Sequence, residues 1–191
     1  MQKSILIQNN LIMKFFLFLL LPGFLALSSC GSSSKINTKN LIASAQLQST
    51  ANTAINVGSA DFYLQKDGQI AMVMKINIKE KANSSVAVHF HEHGDCGNKG
   101  DNTHGHWNPT KENHGQWGNP PFHSGDIGNI SLDKNGNGKV VITTDRWSVK
   151  EGNINNIIGR GIIVHGGVDD YKTQPTGNSG PRIGCGVIEK H

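Results

Sequence analysis

Ser85-Val86-Ala87-Val88-His89-Phe90-His91 is the stretch on which the reading of this chain turns. Side chains of an extended strand alternate between faces, so Val86, Val88 and Phe90 point one way, and His89 and His91 leave together on the other. One strand therefore offers an apolar row to a core and two imidazoles at a fixed separation. The segment before it repeats the period: Ile70, Met72, Met74, Ile76 and Ile78 alternate with mostly polar neighbours, which marks a half-buried strand. Residues 41–48 and 55–64 are weaker strand candidates. Lys66-Asp67-Gly68-Gln69 is a hairpin turn between strands. Residues 127–132 and 139–143 flank Asp133-Lys134-Asn135-Gly136-Asn137-Gly138, a turn rich in residues that accept positive φ. Residues 161–165 and 184–188 supply two last strands. Helical periodicity is absent, so an all-β sandwich or barrel is expected.

Two stretches, 94–125 and 166–182, are dense in Gly, Asn, Asp and Pro and resist assignment to strands. Loops this long without secondary structure are usually functional or disordered. Of the 9 histidines, seven lie between positions 89 and 123, and metal ligation is a natural way to order such a loop. His89, His91 and His165, the last at the end of the Ile162-Ile163-Val164 strand, could present three imidazoles to Cu(II). His106, His114, His123 and Asp126 make up the three imidazoles and one carboxylate of a four-coordinate zinc site. Spacing does not say whether one loop histidine serves both metals. Asp169, four residues past His165, is either a carboxylate that orients a metal-bound imidazole or part of a solvated Asp169-Asp170 turn.

The two ends bound the domain. Met13-Lys14, an apolar run from Phe15 to Leu27, and Leu27-Ser28-Ser29-Cys30 read as an export signal over residues 1–30. Met13 is a candidate start, since Met1 to Leu11 adds no signal feature. The Leu-Ser-Ser-Cys ending resembles a bacterial lipobox, which implies lipid attached to Cys30 and a membrane anchor. Residues 31–40 form a polar tether, and residues 41–191 are expected to be one domain of about 150 residues. Loss of Lys3 and Lys14 with the leader leaves 16 basic against 14 acidic residues, near +2. No basic cluster of the kind that binds nucleic acid is present. Cys96 and Cys185, in an exported chain, are expected to form a disulfide closing roughly 90 residues, worth about 4 kcal/mol in the chain-entropy model. A thiolate metal ligand is the rival role.

Taken together, His89-Phe90-His91-Glu92, His106-Trp107-Asn108-Pro109 with His114, His123-Ser124-Gly125-Asp126, Gly159-Arg160 through His165 to Asp169, and the run from Gly177 through Arg182 and Cys185 to Ile188 resemble the copper/zinc superoxide dismutases of the bacterial exported type. The resemblance covers about residues 41–189. It implies a Greek-key β-sandwich or flattened barrel, immunoglobulin-like, with two long functional loops. It also implies that His89, His91 and His165 bind copper, that His106 bridges copper and zinc, and that His114, His123 and Asp126 complete the zinc site. Asp169 would accept hydrogen bonds from one ligand of each metal, Cys96 would pair with Cys185, and Arg182 would guide the superoxide anion.

In this family the catalytic pair would be His106, as proton carrier, and Arg182. Lys172 is a second candidate cation for attracting substrate. Ala87 stands where the family has glycine, and Trp107 where it has phenylalanine. His93 and His104 are additional histidines and are expected to be solvated or hydrogen-bonded. Trp117 is expected to pack in the core. The implied reaction is dismutation of superoxide to oxygen and hydrogen peroxide, protecting a bacterial cell envelope from its periplasmic side. The outer membrane is the expected anchor, because Gly31 rather than an acidic residue follows Cys30. Monomer and homodimer are both compatible with these residues. A metal-holding lipoprotein and a three-histidine zinc hydrolase are the alternatives. The first would not need Arg182, and the second leaves one set of histidines unexplained.

Overall fold

The structure, a computed structural model, describes residues 36–191. Cys30, the leader 1–30 and residues 31–35 lie outside the described residues. Hydrogen bonding to the domain begins at Asn37, whose amide donates to Gln65 Oε1 (3.0 Å) while Gln65 Nε2 donates back to its carbonyl. Among the described residues no helix is long and apolar enough to cross a membrane.

Among the described residues the regular secondary structure is almost all strand. Its elements are β1 (Leu41–Ser49), β2 (Asn56–Leu64), β3 (Ile70–Asn77), β4 (Ser85–His91), β5 (Asp126–Ser131), β6 (Asn137–Thr144), β7 (Gly161–His165), β8 (Arg182–Val187) and the short β9 (Glu189–Lys190). They hydrogen-bond in the order β5-β4-β7-β8-β1-β2-β3-β6, with β9 beside β1. The two ends of that order, β5 and β6, are consecutive in the chain and joined by a tight turn in which Asp133 Oδ1 accepts from the amides of Asn135 and Asn137. The sheet thus nearly closes into an eight-stranded barrel. Strand β3 pairs with β2 and β6, and β4 with β5 and β7, so the chain passes from β3 to β4 and from β6 to β7 without pairing them, as Greek-key connections do.

The β3 alternation is observed as expected: Ile70, Met72, Met74 and Ile76 are buried and join Leu47, Phe62, Val86, Val88 and Phe90 in the core. Strand β4 differs from a half-buried strand. Ala87, His89 and His91 are buried as well as Val86, Val88 and Phe90, because the loops fold over its outer face. Phe90 packs edge-on against Phe62 and lies 5.2 Å, ring to ring, from Trp147.

Four local expectations change. Arg182, read as the last loop residue, opens β8 and is in register with His165 of β7. Asp126, just ahead of the strand expected over 127–132, opens β5 opposite His89, at a register shift. The first long loop carries a 3₁₀ segment, Asn98–Thr103. A third long connection, residues 145–160, joins β6 to β7; it contributes Trp147 and Ile157 to the core, and its scattered apolar residues carry no strand period.

Candidate metal centre

The ligand candidates arrive from two sources, strand ends and loops sewn onto them. His89 and His91 end β4, and His165 ends β7, its antiparallel neighbour. The loop that follows β4 turns back along the same strand. His91 bridges to His106, Trp107 N donates to Phe90 O, and Phe90 N donates to Gly125 O, the last two at 2.8 Å. Main-chain pairing thus carries His106 beside His89, where the two rings stack with centroids 3.9 Å apart. The loop is further tied at Arg146, which forms an ion pair with Glu112, bonds Ser124 Oγ and lies over the Phe122 ring. At Trp147, Nε1 donates to Ser124 O. Neither Arg146 nor Trp147 was identified from the sequence, since nothing in its spacing marks a residue that acts through the opposite loop.

All eight predicted site residues are brought together and buried. One ligand atom from each of His89, His91, His106 and His165 lies within 4.8 Å of the others, and the same holds for His106, His114, His123 and Asp126. His106 belongs to both groups. Its Nδ1 is 3.0 Å from Asp126 Oδ1, and its Nε2 has no partner.

Each ring is oriented by its other nitrogen. His91 Nδ1 donates to the carbonyl of His104 (2.8 Å) and His165 Nδ1 to that of Gly180 (3.2 Å), leaving both Nε2 atoms buried and unpartnered. His89 is turned the opposite way: its Nε2 meets Asp169 Oδ2 at 2.7 Å and its Nδ1 is unpartnered. Asp169 Oδ1 takes His114 Nε2 at 2.9 Å, so one carboxylate holds a ring from each group. Gly177 makes this approach possible: a Cβ there would stand 1.9 Å from Asp169 Oδ1 and 2.6 Å from His114 Nε2, and its φ of +66° suits glycine. Gln174 bonds His114 through both its amide nitrogen and its carbonyl, joining the two loops.

Six buried imidazole nitrogens without a hydrogen-bond partner would be costly in a site that binds nothing. They fit a metal-ligand set. In the second group, Nδ1 of His114 and of His123 lie 3.0 and 3.1 Å from Asp126 oxygens without hydrogen-bond geometry. Ligand atoms around a tetrahedral zinc, with bonds near 2.0–2.1 Å, stand about 3.3 Å apart.

The protonation states agree. Burial pushes His89 down to about 3 and His165 down to about 4, and lowers His91 and His106 too, so these rings are neutral and able to ligate. Burial alone would raise Asp126 and Asp169, but the imidazoles bonded to them outweigh it and hold both well below the usual carboxylate range. Burial likewise opposes a charge on His114, yet Asp126 and Asp169 on its two sides push it up to about 9.

A groove opens over the first group, lined by His91, His106, His165, Arg182 and His104 among others. Arg182 Nη1 donates to Gly100 O and Thr103 Oγ1, and Nη2 to His104 O. Cys96 and Cys185 are bonded in a disulfide, with Cα atoms 5.8 Å apart, and fasten this loop to β8. Lys172 is exposed and does not line the groove. Trp117 is partly buried and packs on Trp147 and Phe122.

Residues 56–188 match the family model for copper/zinc superoxide dismutase. The chain belongs to the copper/zinc superoxide dismutase family. Curated relatives include two enzymes of Aquifex aeolicus. Superoxide dismutase [Cu-Zn] 1 is 34% identical over 70% of this chain and 80% of its own length. Superoxide dismutase [Cu-Zn] 2 is 35% identical over 79% of this chain and 88% of its own. Among solved structures, a double mutant of a SOD-like protein from Bacillus subtilis aligns with a TM-score of 0.68 at 31% identity, over 76% of this chain and 96% of that one. As a copper/zinc superoxide dismutase the protein converts superoxide to oxygen and hydrogen peroxide, with copper and zinc as its cofactors.

Proposed function

We propose that His89, His91, His106 and His165 hold copper, and that His106, His114, His123 and Asp126 hold zinc, with His106 shared. The observation that carries this division is His106 itself, which belongs to both groups of ligand atoms, with Nδ1 beside Asp126 and Nε2 buried without a partner. Bound copper supplies the one-electron exchange with superoxide, which zinc, lacking an accessible redox state, cannot. The chain's own residues do the rest. The carbonyls of His104 and Gly180 fix the tautomers of His91 and His165. Asp169 couples the orientation of His89 to that of His114. His106 Nε2 takes up a proton and gives it to the reduced substrate. Two superoxide anions and two protons thus become one oxygen and one hydrogen peroxide. Arg182, a permanent cation on the groove, draws in and orients the anion.

The proposal extends to place. The protein works in a bacterial cell envelope, on the periplasmic side, held by lipid on Cys30 to the outer rather than the inner membrane, and it removes superoxide there. Support comes from Leu27-Ser28-Ser29-Cys30-Gly31 and from the Cys96–Cys185 disulfide, which suits an oxidising compartment. Protein reconstituted with copper and zinc should dismutate superoxide, and anomalous scattering at the two metal edges should place copper beside His91 and zinc beside His123. The reverse placement would overturn the division. Labelling with a radioactive fatty acid should mark wild type but not Cys30→Ser; unlabelled, soluble wild type would refute the anchor.

A further inference from the structure

Three imidazoles stand outside both buried groups; His191, in the last position, bonds Ser44 Oγ, and the other two lie together. His93 follows β4, and His104 ends the 3₁₀ segment of the first long loop. The main-chain pairing that delivers His106 also delivers them: Glu92 N donates to Gly105 O at 3.0 Å and His93 N to Thr103 O at 3.2 Å. Their rings meet nearly perpendicular, centroids 4.7 Å apart. The Glu92 carboxylate joins them, so one ligand atom from each of Glu92, His93 and His104 lies within 4.8 Å of the others, on the surface.

Main-chain pairing places the three side chains together, and they are otherwise unengaged. Among the described residues, none of their side chains forms a hydrogen bond or ion pair. Arg160, the nearby cation, spends its guanidinium on the main-chain carbonyl of Glu92 and on the Trp107 ring, so it does not neutralise the Glu92 carboxylate. Two imidazoles and one carboxylate are a ligand set that zinc takes with water in the fourth place, and imidazole serves Cu(II) as readily. We propose that Glu92, His93 and His104 form a third metal site, at the surface, for a divalent cation of the zinc or copper type.

The site adjoins the buried centre through one residue. His104 offers its ring outward, while its carbonyl accepts from both His91 Nδ1 (2.8 Å) and Arg182 Nη2 (2.7 Å). An ion held here exchanges with solvent without passing the groove, and it fixes the residue on which a buried ring and the substrate-facing arginine both hang.

The test adds Zn²⁺ to protein already loaded with copper and zinc, removes loosely held ion by gel filtration, and counts metals in wild type, His93→Ala and Glu92→Gln. Wild type should retain one zinc more than His93→Ala. Removing a direct ligand should weaken binding at least as much as the roughly tenfold lost when a ligand's hydrogen-bonding neighbour is removed. The count is a difference, so it stands whatever the buried groups bind. Equal retention in all three proteins would overturn the site. Both variants should keep wild-type dismutation and melting temperature without added zinc. If His93→Ala misfolds, electron paramagnetic resonance of wild type with one added equivalent of Cu²⁺ decides instead. A second Cu(II) signal with hyperfine structure from two nitrogens supports the site, and free aqueous Cu(II) alone refutes it.

Discussion

Arg182 donates from Nη2 to the main-chain carbonyl of His104, 2.7 Å away, the same oxygen that fixes His91 Nδ1. The guanidinium proposed to face the substrate and the imidazole proposed to face copper are thus hung from one loop carbonyl. Reversing the charge, Arg182→Glu, should leave the ligands in place but repel superoxide. At about 6 Å and intermediate dielectric the change in attraction is about 1–3 kcal/mol, or a roughly tenfold or greater fall in rate. Stopped-flow dismutation measured with copper content tests this. Unchanged activity at equal copper would remove Arg182 from the mechanism. Raising ionic strength should slow wild type, because salt screens the attraction.

His91→Ala removes one imidazole from the group proposed for copper and none from the other. It should abolish dismutation while zinc stays bound. Metal analysis and activity on the same sample check both halves; loss of zinc with retained copper would invert the assignment.

Asp169→Ala cuts the carboxylate that bonds His89 of one group and His114 of the other. Metal affinity should fall about 10–100-fold, the usual cost of losing a ligand's hydrogen-bond partner. Competition with a chelator should show zinc and copper both weakened. Weakening of one alone would mean that the two orientations are independent.

Cys96→Ser should lower stability and activity together. The disulfide closes a loop with a sequence separation of 89, worth about 4 kcal/mol in the chain-entropy model. It also fastens the loop whose carbonyls hold Arg182. Denaturant unfolding of the metal-free variant gives the first effect and its reconstituted activity the second. A stable but inactive variant would assign the bond to positioning alone.

Metal loading should differ in its protons. His114 is pushed up to about 9 and carries a proton at pH 7 that zinc must displace. His89 and His165, down at about 3 and 4, are already neutral. Zinc binding at pH 7 should therefore release about one proton from His114, declining as pH rises past 9, while these two copper-side rings contribute none. Calorimetry in buffers of different ionisation enthalpy measures both. Copper binding to the zinc-loaded protein should release one proton, from the second ring nitrogen of the shared His106; release of more than one would contradict neutral His89 and His165.

The β4 alternation determined locally that His89 and His91 share a face, because a strand's period acts over two residues. Most strands were legible for the same reason, as were Cys96 and Cys185, the only thiols of the domain. Tertiary structure alone decided what the loops do. Spacing could not say that His106 lies in both groups of ligand atoms, where its main-chain bridge to His91 helps to carry it. It left Asp169 between a clamp and a solvated turn, and the choice rests on Gly177 letting His114 approach. It made His93 and His104 two separate rings, solvated or hydrogen-bonded, whereas the returning loop lays them against Glu92. Periodicity speaks for neighbours in sequence, whereas a loop ligand's position is set by long-range hydrogen bonds and a disulfide that no local pattern records.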